Sequence, residues 1–126
     1  MSKHIHSDKA AQPVAAYTQA VRAGNRVFVS GCIPIEPSSG ELIADTIENA
    51  TRQSLSNVSK VLEGADLSLS NVVKASVFMI DSDDYEGMNS VYAEIMPQPY
   101  PAREAIFVKA LPKGARVEIS VIAHLE

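Results

Sequence analysis

The chain has 126 residues, a length that suits one domain with one core, and its 46% hydrophobic and 21% charged residues match an ordinary folded protein. Eleven Lys and Arg against fifteen Asp and Glu leave a net charge of -4, with no concentrated positive stretch to hold a phosphate backbone, which argues against nucleic acid as a partner. No unbroken apolar run exceeds four residues, as from Val77 to Ile80, whereas a membrane-spanning helix needs about 20; a single cysteine, Cys32, offers no internal disulfide.

In chain order, Met1 to Ala10 carries Lys3, Asp8 and Lys9 and has neither an apolar core segment nor the Arg-rich, acid-free character of an organelle transit peptide, mitochondrial or other, so a cytoplasmic, reducing location is expected. His4 and His6 form an H-x-H pair on a terminus expected to fray, without further ligands, and no metal site is predicted. Thr18 to Ala23 and Arg26 to Ile33 read as the arms of a hairpin turning at Gly24-Asn25. In the second arm Val27, Val29, Gly31 and Ile33 fall on one face and Phe28, Ser30 and Cys32 on the other. Pro34, Pro37 and Ser38-Ser39-Gly40 then end the strand.

From Thr46 to Glu63 the apolar positions Ile47, Ala50, Leu55, Val58, Val61 and Leu62 keep helical spacing, with Asp45 and Glu48 resembling a capping box and Gly64 placed as a stop. Asn71 to Ile80 reads as a strand with Val73, Ala75, Val77 and Met79 on one side. A second helix follows the capping signal Asp83 and Glu86, carries Tyr85, Met88, Tyr92 and Ile95 on one stripe, and ends before Pro97. Arg103 to Ala110 and Arg116 to His124 read as two strands joined as a hairpin through Leu111-Pro112-Lys113-Gly114. The order ββαβαββ predicts a single α+β domain over residues 1–126, with two helices covering one face of a sheet. The strands of Val72 to Ile80 and Ala105 to Ala110 are apolar on both sides, so the second face also needs cover, and self-association is the simplest source.

Five segments resemble the Rid family of reactive-intermediate deaminases: Ala16-Tyr17-Thr18-Gln19-Ala20, Ser30-Gly31-Cys32-Ile33-Pro34, Asn89-Ser90-Val91-Tyr92, Pro101-Ala102-Arg103 and Val117-Glu118-Ile119. They stand in the family's order and nearly its spacing, over essentially the whole chain. The resemblance implies a chorismate-mutase-like fold and a homotrimer with ligand sites in the clefts between neighbours. It also implies hydrolysis of 2-imino acids, or their enamine tautomers, to 2-keto acids and ammonia, without a cofactor.

The residues suit that chemistry. A 2-imino acid carries a carboxylate beside its C=N carbon, and Arg103 offers the planar fork that binds a carboxylate through two parallel bonds. Glu118, matched to the family carboxylate, is the candidate general base for the attacking water, and a charge in the middle of an apolar strand is costly unless a cleft solvates it. By resemblance, Tyr17 hydrogen-bonds in the site and Asn89 lies near it, while Ser30, Gly31 and Ala105 contribute mostly backbone contacts, glycine permitting close approach. On the hairpin reading Glu118 stands opposite Phe107, about 13 Å along the strand from Arg103, so one ligand reaches both only if different subunits supply them or a water chain links them. Two departures qualify the resemblance. Glu104-Ala105 replaces the family's Ser-Cys, removing the thiol that lines the site, with Glu104 pointing away from Arg103; and Ala15-Ala16 replaces Gly-Pro before Tyr17. Cys32, which stands where the family commonly has glutamine, reads as a small buried residue rather than a nucleophile. A trimer that binds small carboxylates or proteins without turnover is the rival reading. A ribonuclease, an activity attached to relatives, is disfavoured by the acidic charge and the lack of a paired-histidine constellation.

Overall fold

A computed structural model describes residues 2–125 as one six-stranded sheet with two helices on one of its faces. The strands are β1 (Ser2–Ile5), β2 (Ala20–Ala23), β3 (Arg26–Cys32), β4 (Val72–Met79), β5 (Ala102–Phe107) and β6 (Val117–His124); the helices are α1 (Ile47–Glu63) and α2 (Tyr85–Ile95). Strand order is β1-β2-β3-β6-β4-β5, and only β4 and β5 run parallel. The first strand extends the expected order at its start, so His4 belongs to a ladder rather than a frayed end, and His6 pairs with Asp8 at 3.0 Å. Among the described residues no helix is long and apolar enough to cross a membrane, and no group of three or more His, Cys, Asp or Glu is placed to hold a metal ion.

The core forms where the inward alternation of β3, β4 and β6 meets the apolar stripes of the helices: Val27, Val77, Met79, Ile119, Leu55 and Leu62 are fully buried there. Truncating one such side chain, as in Leu62→Ala, costs about 2–5 kcal/mol. Capping differs from the sequence pattern by a residue at each helix. Thr46, not Asp45, is the N-cap of α1, its hydroxyl accepting from the Asn49 N–H at 3.0 Å; Asp45 accepts instead from the Thr46 N–H and the Asn49 amide. Asp83 does not cap α2; its own N–H is bound by Asp81, in the short 3-10 turn before the helix. A register shift between Val72 and Lys74 displaces Val73, which is exposed, from the face shared by Ala75, Val77 and Met79.

Two corrections bear on function. The last two strands do not form a hairpin: β5 pairs parallel with β4 across α2, whereas β6 inserts between β3 and β4, and a nine-residue connection at 108–116 separates them. Glu118 therefore faces Phe78 across the β4 ladder, not Phe107. In β3 the alternation breaks between Val29 and Cys32, where Ser30 and Gly31 together oppose Ser120. This bulge brings Cys32, rather than Gly31, onto the core side opposite Ile119.

A split candidate active site

The candidate residues fall into two groups on opposite faces of the sheet. Arg103 pairs with Ala75 and so lies on the helix side of the outermost strand β5, while Glu118 pairs with Phe78 and lies on the open side of β6. Phe78 also pairs with Ile106, three residues beyond Arg103. The two side chains are thus separated by two strand spacings, about 10 Å, and by about 10 Å along the strands, in addition to pointing opposite ways. Within one chain they cannot meet on one small ligand.

Around the Arg103 side chain, one stripe of α2 supplies each hydrogen bond and each aromatic contact among the described residues. Nη1 donates to Asn89 Oδ1 at 2.8 Å and Nη2 to the Tyr85 hydroxyl oxygen at 2.9 Å, while the guanidinium carbon stands 4.8 Å from the centre of the Tyr92 ring. Residues 85, 89 and 92 recur at four and three positions, which stacks them on one helix side facing β5. Among the described residues no carboxylate lies within salt-bridge reach of Arg103; Glu104 points to the other face, as alternation requires, and meets Lys74 and Ser76 there. Ala105 shares the Arg103 face and packs, partly buried, against the core. The guanidinium has five N–H donors, and these two bonds leave three for a ligand.

Glu118, Tyr17, Ser30 and Gly31 meet in a cleft of about 440 Å³ between β3, β6, the segment before β2 and the Lys113 turn. Glu118 accepts no hydrogen bond among the described residues, and its desolvation holds its carboxyl above the ordinary carboxylate value. A β-carbon on Gly31 would overlap the Glu118 carboxylate, so glycine is required for the carboxylate to lie against the bulge. Tyr17 is half exposed at the rim; partial burial, then Cys32 and Glu118, raise its hydroxyl above the ordinary tyrosine value. The Ser30 hydroxyl is occupied, donating to the Thr18 carbonyl at 2.6 Å. Burial and Glu118 push the Cys32 thiol up to about 12, which keeps it protonated and non-nucleophilic.

Two buried amides that sequence reading did not single out as functional hold the walls. Gln19 accepts from the Ser7 N–H and donates to the Ser7 and Ala11 carbonyls, tying down the segment that leads to Tyr17. Asn57 donates to the Ile33 and Ile35 carbonyls and fixes the chain beyond the bulge. Tyr85 and Tyr92 were legible only as core positions; their spacing with Asn89 was the available signal. A wider open hollow, about 720 Å³, runs along the start of α1, but its Asp45 and Arg52 are already spent on Asn49 and Glu94.

Residues 7–125 match the family model described as Endoribonuclease L-PSP. A RutC family protein of Pyrococcus horikoshii is 42% identical over 126 residues, covering 100% of both chains. A 2-iminobutanoate/2-iminopropanoate deaminase of Bos taurus is 38% identical over 96% of this chain and 88% of its own. The crystal structure of E. coli TdcF with bound serine superposes with a TM-score of 0.93 at 35% identity, over 98% of this chain and 99% of that one.

Proposed function

The chain belongs to the Endoribonuclease L-PSP family, which includes the YjgF, RutC and Rid proteins, and from that premise we propose that it hydrolyses small 2-imino acids, such as 2-iminobutanoate and 2-iminopropanoate, to 2-keto acids and ammonia. The observation that carries the proposal is a guanidinium held by two neutral acceptors with no acid paired to it among the described residues, which leaves its charge and three donors for a substrate carboxylate. The bovine relative's name and the serine bound to TdcF, itself a small amino acid with a carboxylate, agree with that chemistry.

The carboxylate of the substrate docks on Arg103. Glu118 takes a proton from water as the water oxygen bonds to the imine carbon and the π pair moves to nitrogen. The nitrogen takes up that proton to give a carbinolamine; Glu118 then takes the hydroxyl proton and passes it to nitrogen, so that the carbonyl forms as the C–N bond breaks and ammonia leaves. Tyr17 orients the water from the rim. Since Arg103 and Glu118 lie on opposite faces of one sheet, the site is complete only when adjoining copies supply one each, and the homotrimer that the family resemblance implies would place such copies side by side. Phe28 and Ile106, each 44% exposed on the open sheet face, provide apolar surface for that contact.

Arg103→Ala is expected to abolish keto-acid release from freshly generated 2-iminobutanoate while the sedimentation coefficient stays that of the wild-type assembly; undiminished release overturns the assignment. A second reading, capture of small carboxylic acids without turnover, draws on Ala105, which leaves no thiol beside Arg103. Binding of 2-oxobutanoate together with no acceleration of imine hydrolysis establishes it instead.

A further inference from the structure

We propose that Tyr85 is a positioning residue for substrate capture, acting through Arg103; this rests on the reading of Arg103 as the carboxylate anchor. An arginine at the end of a flexible stem gains from a two-pronged contact only if its plane is fixed before the ligand arrives. Here three groups fix it: the Asn89 amide oxygen at 2.8 Å, the Tyr85 hydroxyl oxygen at 2.9 Å, and the Tyr92 ring face at 4.8 Å. The Tyr85 ring centre lies further away, at 5.8 Å, so its hold on the guanidinium is chiefly through oxygen.

Each of these groups is neutral. An acidic partner at position 85 would fix the plane equally well but would neutralise the charge that the ligand needs, whereas a phenol oxygen orients the cation and leaves it cationic. Tyr85 opens α2 and is partly buried against the core, so its ring has a packing role that phenylalanine can keep. Removing the hydroxyl alone therefore separates orientation from packing.

The test compares wild type, Tyr85→Phe, Arg103→Ala and the double variant, by calorimetric binding of 2-oxobutanoate and of its uncharged amide, 2-oxobutanamide, and by turnover of 2-iminobutanoate. Tyr85→Phe is expected to raise Kd for the keto acid and KM for the imine about tenfold, with kcat within about twofold of wild type, corresponding to the loss of one charge-assisted bond. The preference for keto acid over amide should narrow by about the same factor, a ratio that any misfolded fraction leaves unchanged. In the Arg103→Ala background the hydroxyl should have no further effect. An unchanged preference in Tyr85→Phe, with Arg103→Ala inactive, overturns the role of Tyr85 and spares the anchor. A hydroxyl effect that persists without Arg103 also overturns it, by showing a route independent of the guanidinium. Full binding by Arg103→Ala removes the anchor and, with it, this inference.

Discussion

The Arg103 side of the sheet and the Glu118 side solve opposite electrostatic problems. Arg103 is a cation whose plane is fixed in advance by acceptors on α2, and among the described residues no carboxylate is paired with it. Glu118 is a carboxylate held against a glycine bulge with no donor among the described residues, so desolvation makes its proton harder to remove. One region spends interactions to stabilise a charge and suits binding; the other withholds them and suits proton transfer, because a carboxyl raised toward neutrality both takes and returns a proton. Stability is conceded at the second region, as an active site commonly requires.

The sharpest way to break this contrast is Glu118→Gln. It should lower kcat by about 10²- to 10⁴-fold while Kd for 2-oxobutanoate stays close to wild type, because the charge anchoring the ligand lies elsewhere. The same variant should melt at higher temperature than wild type at pH 7. The sign follows from the raised carboxyl. The folded state holds this proton more tightly than the unfolded state, so wild type loses stability as pH rises from the ordinary value of 4.5 through the folded pKa, and the glutamine does not. The melting difference should vanish near pH 4; a gain that persists there would show that repacking, not ionisation, is the cause.

Gly31→Ala attacks the same region by displacement, since the new methyl occupies the place of the carboxylate. A loss of about 100-fold in kcat is expected, the scale of a misplacement near 1 Å, with ligand binding retained. Arg103→Lys attacks the other region, keeping the charge and losing the fork. Replacing a two-pronged contact by a point charge should raise KM by roughly 10- to 100-fold with less change in kcat. If the two variants moved kcat and KM in the same proportions, the division between a binding side and a reacting side would be wrong.

How far the sequence reaches can be judged on the same two regions. The helices, the Gly24-Asn25 hairpin and the inward face of β4 from Ala75 onward were readable because local periodicity and burial agree. The partners of β5 and β6 were not. Pro112, Lys113 and Gly114 do make a tight turn, with Lys113 at φ 59° and Gly114 at φ 72°, but a turn signal says nothing about which strands lie beside those it joins. The strand, helix, strand succession of β4, α2 and β5 does favour parallel pairing, and that rule outweighs the hairpin signal here. The same error set Glu118 opposite Phe107. The conclusion that Arg103 and Glu118 cannot share a ligand within one chain nevertheless stands on other geometry, since they occupy opposite faces as well as different strands. The role of Tyr85 is hidden in the sequence for a different reason: its stripe on α2 meets both core and guanidinium, and periodicity registers only burial.

Cys32 gives the smallest expected effect and tests whether the Glu118 side is as poor in stabilising groups as its carboxylate implies. The thiol donates to the Ser30 carbonyl, at 3.5 Å, and burial together with the neighbouring Glu118 raises it from 9.0 to about 12. At pH 8 almost none is thiolate, so iodoacetamide should label the native protein far more slowly than the unfolded chain, and Cys32→Ala should keep kcat within about twofold. Above pH 9 the unfolded chain sheds this proton before the folded one does. Wild type should then lose stability as pH climbs toward 12, and the alanine variant should escape that loss. Rapid labelling at pH 8 would mean a stabilised thiolate beside Glu118, which is incompatible with a region that leaves its charges unsupported.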